Sequence, residues 1–190
     1  MDIPWGSDIA VRFITNVGLI TTNGGHGANI MACEWTHHVS YKPALIAVCV
    51  HLRHATFENI RNTKEFGVNI TSTEQSVLSS VAGRESGKGF DKIKISEELG
   101  FEFYQAKQIK TLMVKNAVVN LECKVFQEIP LGDHTMFVGE IIEASLNGEK
   151  EPLTYHKGKY WKMTSPIEKP SDELREKIKS LFEKYKKSKQ

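Results

Sequence analysis

The sequence predicts a mainly β fold, an antiparallel barrel that is closed or nearly closed, with a few short helices and a C-terminal helix. Three observations carry this. Five runs of β-favouring residues recur along the chain: VGLITT (17–22), ALIAVCVH (44–51), FGVNIT (66–71), VVNLECKVFQEI (118–129) and HTMFVGEIIEASL (134–146). Gly, Asn and Asp bound them, and these residues supply turns. Several alternate apolar with polar, as strands with one buried face do.

Composition bounds the rest. At 190 residues the chain is one generous domain, or a domain with a tail, long enough to bury a core without staples. Hydrophobic residues at 40% and aromatics at 9% describe a globular protein. No apolar run approaches the ~20 residues of a membrane-spanning helix. MDIPWGSDIAVRF lacks the basic start and apolar centre of a signal peptide, so a cytoplasmic setting is expected, with no membrane partner. Cys33, Cys49 and Cys123 form no CxxC pair, and reduced thiols suit that setting. Residues 171–190 hold seven Lys/Arg against four Asp/Glu, whereas the rest holds 18 against 19. The body is therefore no nucleic-acid surface by charge.

Taken in order, VGLITT reads as a strand, and Gly24, Gly25 and Gly27 make a hairpin turn after it. GGHGAN lacks the third glycine of GxGxxG and opens no helix, which excludes a Rossmann loop, and no GxxxxGK(S/T) is present. ANIMACEW follows, with small residues beside Met31 and Trp35. ALIAVCVH is a nearly continuous apolar strand. In ATFENIRNTKEF, Thr56 is the expected helix cap, with Glu58 in the first turn. STEQSVLSSVAGRE (72–85) reads as a second helix, capped by Ser72 or Thr73 and ending near Gly83. SGKGFDK (86–92) reads as a loop. In LGDHTMFVGEI, Gly132-Asp133 turns the chain into a strand starting at His134. Last, Leu174, Ile178, Leu181, Phe182 and Tyr185 form one apolar stripe on a basic helix, with Ser171 its expected N-cap. That stripe must pack on something, either the barrel or a neighbouring subunit.

Four groups could carry chemistry, each with a plainer alternative. His26, Cys33, His37, His38, Cys49, His51 and His54 include zinc-type ligands, but their spacing matches no standard closed site, and no metal is expected. His134 is either an exposed imidazole on a hairpin or a ligand-binding group at the barrel mouth. Ser86, Gly87, Lys88 and Lys92 offer amides, a hydroxyl and ammonium groups together, which is what a phosphate needs, or form an ordinary surface loop. Met31 and Trp35 are core residues or neighbours of a planar ligand.

In this order the segments resemble the flavin reductase-like family, whose fold is the FMN-binding split barrel. VGLITT with ANIMACEW resembles its first hairpin, and HVSYKPALIAVCV its "S-x-x-P-P, apolar strand" segment. RHATFENIRNTKEFGVNI, SGKGFDK, LGDHTMFVGEI and PLTYHKGKYWKM resemble, respectively, its Thr-capped helix, its Ser-Gly…Asp-Lys loop, its Gly-Asp-His strand and its closing element. The resemblance covers residues 8 to 165 or so. It implies a split-barrel domain over 1–165, with a basic amphipathic helix over 166–190 outside the shared region.

The resemblance implies FMN as cofactor, with NADH or NADPH as electron donor. Asn29, Ile30, Met31, Ala32, Cys33 and Trp35 would then form a low, amide-lined wall for the flavin ring. Ser40, His51, Arg53 and Thr56 would approach the ribityl chain and phosphate. Ser86, Gly87, Lys88 and Lys92 would complete the phosphate grip, with Asn69 also near the cofactor. Arg53 is a planar, permanently charged fork for phosphate oxygens, and a helix start at Thr56 favours an anion. His134 would position the nicotinamide or the flavin. The resemblance further implies a homodimer, and its alternative function is a flavoredoxin-like FMN carrier serving a redox protein. A third possibility is a non-enzymatic barrel whose Cys/His cluster binds metal or nothing. This chain departs from the family at Met31-Ala32-Cys33-Glu34, where many members carry hydroxyls, and at Lys42-Pro43, where they carry Pro-Pro.

Overall fold

A computed structural model describes residues 1–186. Residues 187–190, the end of the basic C-terminal segment, lie outside the described part. The main sheet has seven antiparallel strands in the order β3-β2-β6-β9-β10-β5-β4. These are β2 (Gly18–Gly24), β3 (Gly27–Cys33), β4 (Thr36–Tyr41), β5 (Ala44–His51), β6 (Glu65–Ile70), β9 (Val119–Leu131) and β10 (His134–Leu146). No ladder joins the two edge strands, β3 and β4. They are instead consecutive in the chain, linked through Glu34-Trp35, and Cys49 N–H donates to Trp35 O at 3.0 Å across that corner. The barrel is split rather than closed. Two small sheets flank it: β1 (Thr15–Asn16) with β11 (Thr154–His156) and β12 (Lys159–Trp161), and β7 (Phe103–Gln105) with β8 (Leu112–Val114).

Two cores divide the side chains of the first hairpin. Ile20, Met31 and Cys33 point into the barrel with Val48, Val50, Phe66, Val68 and Phe137. Leu19 and Ile30 point the other way, onto α2 (Ser76–Arg84) and α3 (Lys92–Glu98), where Leu78, Ala82 and Ile93 meet them. A strand covered on both faces needs apolar residues at every position, which accounts for the run from Ile30 to Cys33. Ala32 keeps that face low for a second reason: a Cβ at Gly83 of α2 would lie 3.4 Å from its own Cβ.

Helix α1 (Ala55–Thr63) is fastened under the β2–β3 turn chiefly by Asn59, with Glu58 also reaching His26 Nε2 at 2.6 Å. Asn59 donates to Thr22 Oγ1 and to Gly27 O, both at 3.1 Å, and accepts from His26 N–H at 3.1 Å. Gly27, at φ +71°, makes the turn that a side chain would strain. This fastening fixes where the N-terminus of α1 lies relative to β3.

Three expectations differ in detail. The N-cap of α1 is His54, not Thr56, and its side chain makes no capping bond. Residues 73–75 form a separate 3-10 turn before α2, with Gln75 Oε1 accepting from Ser72 N–H at 3.1 Å. The segment after Phe90 is helical because Asp91 caps it, accepting from Lys94 N–H at 3.0 Å. At the C-terminus, α4 (Asp172–Lys184) forms with Ser171 as its cap, as the pattern predicts. Its stripe packs on nothing in the described chain: Leu174, Ile178, Leu181, Phe182 and Tyr185 are all exposed.

Candidate functional site

The fold gathers functional groups at one rim of the split barrel, where β5 ends, β10 begins and α1 starts. His134 pairs in register with His51, the last residue of β5. Their rings lie 5.1 Å apart, edge to face. Trp35 lies 4.8 Å from His134 on one side, and His54 lies 5.6 Å from His51 on the other. Four rings thus form a continuous row, Trp35–His134–His51–His54. It ends on Met31, whose sulfur is 3.1 Å from His54 Nδ1.

Neighbours set the ring nitrogens. Asp133 Oδ1 lies 2.7 Å from His134 Nδ1, which donates to it and leaves Nε2 as an acceptor in the neutral ring. That hydrogen bond holds the exposed Asp133 carboxyl below its ordinary range. His51 Nδ1 accepts from Arg53 N–H at 3.1 Å, so its neutral ring carries the proton on Nε2. The pair presents one donor and one acceptor. His54 is pushed toward the neutral form, mainly by desolvation, then by His51, Lys92, His134 and Lys88.

Beside the row lies a polar cradle. Asn29 is buried on β3, and its Nδ2 lies 2.9 Å from Thr56 Oγ1 in the first turn of α1. Its Oδ1 is buried with no partner. Gly87 closes over this atom so tightly that a Cβ there would stand 2.0 Å from it. The Thr56 hydroxyl can give or accept a proton, so the free end of the Asn29 amide can serve a ligand as acceptor or, turned over, as donor. Arg53, Lys88 and Lys92 bring cations. Lys92 is buried on α3, with Nζ donating to Ala82 O at 2.7 Å, and desolvation lowers its pKa to about 8. Lys88 pairs with Glu58, which also binds His26 Nε2 at 2.6 Å.

The structure therefore brings together Asn29, Met31, Trp35, His51, Arg53, Thr56, Ser86, Gly87, Lys88, Lys92 and His134. Other expected residues are turned elsewhere. Ile30 is in the core against α2 and α3. Cys33 is in the barrel core, its thiol pushed up to about 11 by burial. Ala32 packs beside α2 and is only partly covered. Asn69 is fully buried and spends its amide on Leu19 O, Thr21 Oγ1, Val114 N–H and Asn120. Ser40 pairs with Leu45, five residues along from Trp35, roughly 16 Å at strand rise. The side chains of β3 thus make less of a wall than the sequence implied, because the strand is covered on both faces. Trp35, half exposed, is the part of the stretch that meets solvent.

Asn59 and Asp133 were not singled out as site residues in the sequence, and His54 was named only among the Cys/His residues whose spacing matches no standard metal site. Only Asp133 carried a local signal, as the acid directly before His134. Among the described residues, no group of three or more His, Cys, Asp or Glu is arranged to hold a metal ion. None of the helices among them is long and apolar enough to cross a membrane.

The chain is similar to a ferric-chelate reductase (NAD(P)H) of Archaeoglobus fulgidus, 34% identical over 151 residues, covering 78% of this chain and 86% of that protein. It is also similar to an NADH-dependent FMN reductase of Streptomyces nodosus subsp. asukaensis, 28% identical and covering 80% of each. Its fold matches the crystal structure of flavoredoxin from Methanosarcina acetivorans with a TM-score of 0.76 at 25% identity, covering 90% of this chain and 95% of that one. The model of the flavin reductase like domain matches residues 10–164. With most of its length inside that match, the chain is a member of the flavin reductase-like family.

Proposed function

We propose that the protein is an NAD(P)H-dependent flavin oxidoreductase that holds FMN at the rim, its phosphate in the cradle and its ring along the row from Met31 to Trp35. The observation that carries this reading is the cradle: a buried amide with an unpartnered atom, a glycine that admits no side chain, and the Lys88 and Lys92 ammonium groups near enough to bias His54. It suits an anion approaching a helix N-terminus whose first amides have no side-chain cap. Bound there, the flavin supplies the hydride acceptor for NADH or NADPH.

The chain's own residues bind and orient. Arg53 forks onto phosphate oxygens, and Ser86, Lys88 and Lys92 add a hydroxyl and charge. Lys88 exchanges Glu58 for the phosphate. Thr56 and Asn29 fix the start of the phosphorylated tail. His51 and His134 present Nε2–H and Nε2, a donor and an acceptor suited to a carboxamide or the imide edge of a flavin. Asp133 holds the His134 ring in that tautomer. Trp35 gives an apolar face for a stacked ring. No general base is needed for hydride transfer, so the neutral tendency of His54 is no obstacle.

A homodimer fits the same surface, because Trp35, Leu52 and Leu131 around the histidine row are exposed and apolar. The three free cysteines fit a reducing cytoplasm. A second reading, an FMN carrier serving a redox protein, is favoured by the likeness to flavoredoxin over 90% of the chain. The two separate in one experiment. Protein loaded with FMN and mixed anaerobically with NADH or NADPH should bleach as a reductase and stay yellow as a carrier. Protein that takes up no FMN at all would contradict both.

A further inference from the structure

An anion already stands beside the cradle. Glu58, two residues past Thr56 in the first turn of α1, binds the Lys88 ammonium through Oε1 and the His26 ring through Oε2, the latter at 2.6 Å. Both partners hold its carboxyl below the ordinary range, Lys88 foremost. The backbone of Lys88 is fixed at the cradle: its N–H donates to Ser86 Oγ at 3.2 Å, and Gly87 beside it presses on Asn29. Only the side chain is turned away, toward Glu58. That carboxylate occupies Lys88 as a phosphate oxygen would.

Exchange of this partner costs little, because the Lys88 and Glu58 side chains are 39% and 41% exposed and such pairs contribute little. The consequence falls on Glu58, which then keeps His26 alone. A carboxylate is acceptor-only, so a neutral His26 carries its proton on Nε2 and leaves Nδ1 to take a second one from solvent. With His26 neutral, Glu58 confronts the phosphate as an uncompensated charge. With His26 protonated, the two form a neutral pair. The turn holds the ring in place, since His26 N–H donates to Asn59 Oδ1 at 3.1 Å. Lys88, Asp91, Lys94 and Glu97 line the cleft that His26 also lines, two of each sign, so their charges offset and Glu58 decides.

We infer that Glu58 is a built-in competitor for the flavin phosphate and that protonation of His26 disarms it, so that FMN is gripped more tightly as pH falls. The inference deepens the flavin reading above and rests on it. Glu58 and His26 act through Lys88, as positioning residues. Binding moves the Lys88 ammonium from Glu58 to the phosphate, and a proton passes from solvent to His26. A flavin without a phosphate triggers neither step.

The test is a titration of flavin-free protein with FMN and with riboflavin, which lacks the phosphate, followed by flavin fluorescence between pH 6.5 and pH 8. The proteins are the wild type, Glu58→Gln, His26→Gln and the double variant. At pH 8, Glu58→Gln should bind FMN about three- to fivefold more tightly than the wild type does, and riboflavin equally well. That advantage should shrink toward none as pH falls to 6.5. In the His26→Gln background it should stay the same across the range. Titration of the phosphate and of Lys92 is common to each pair of proteins and cancels in the ratio. The substituted side chains are partly exposed, so the thermal midpoints should hold. A Glu58→Gln protein with unchanged FMN affinity, or with riboflavin affinity raised alike, would overturn the inference. So would an advantage that ignores pH while His26 is present. Failure of the wild type to bind FMN, or to prefer it to riboflavin, would overturn the flavin-phosphate reading instead.

Discussion

Strand β3 and the rim it leads to were both expected to touch the ligand, and they spend their residues differently. On β3, Ile30, Met31 and Cys33 are buried, two in the barrel core and one against the helices. At the rim, Trp35, Arg53 and the histidine row remain accessible. Asn29 belongs to both regions, being buried yet left with an unpartnered amide oxygen. The difference teaches that a strand covered on both faces sets position, while the accessible groups stand where strands end and a helix begins. Substitutions on β3 should move stability, and substitutions at the rim should move ligand affinity or rate.

The largest effect should come from Ile30→Ala. Its side chain is fully buried, and its loss should cost about 2–5 kcal/mol of unfolding free energy in denaturant titrations. FMN affinity of the folded fraction should stay as it was; a parallel loss of affinity would break the division. Arg53→Ala reverses the pattern, weakening FMN binding by about 1.5–3 kcal/mol at an unchanged melting temperature, if the guanidinium meets the phosphate. Undiminished affinity would assign Arg53 to the surface.

Next is a pH effect at Lys92. Desolvation lowers its pKa to about 8, so the folded chain gives up this proton before the unfolded chain does. Between that value and the ordinary lysine range, the unfolded state binds more protons, and this group makes stability rise with pH. The phosphate prefers the ammonium, so FMN affinity should move oppositely, falling toward tenfold per pH unit above about 8. Lys92→Met should flatten that slope. A wild-type affinity independent of pH from 7 to 9.5 would remove Lys92 from the phosphate grip.

Smaller still, His134→Ala should slow anaerobic flavin reduction by roughly tenfold while sparing FMN content, since misplaced reactants cost rate rather than binding. Equal reduction traces would leave His134 with no part in positioning. Truncation after residue 165 should change barrel stability by about 0.5 kcal/mol or less, because no residue of α4 is buried in the described chain.

Much of the fold was legible because each main strand carries its own pattern and turn residues. The Gly24–Gly27 turn, the strands that end at His51 and start at His134, and the capped C-terminal helix follow from local chemistry, whereas the pairing of those two strands does not. The short strands β7, β8, β11 and β12 were not legible, since three residues are too few to show a period. At the candidate site, the signals that found residues standing at the rim were short-range: Gly-Asp-His at a strand start, and Ser-Gly-Lys after a helix. Those that failed needed tertiary knowledge. Ile30 and Asn69 look like exposed or ligand-facing residues until α2, α3 and β8 cover them. His54 was visible only as a zinc-type residue, because its place in the row depends on standing between Met31 and His51, which are distant or differently oriented in the chain. The stripe on α4 was read correctly as a stripe, but sequence alone did not say that the barrel leaves it uncovered.

The most direct test is spectroscopic. The protein is loaded with FMN, freed of excess flavin and oxygen, and mixed with NADH and, separately, NADPH while its colour is followed. A flavin oxidoreductase organised at this rim should lose its yellow absorbance with at least one of the two donors. Protein that binds FMN and keeps its full colour with both would contradict that account.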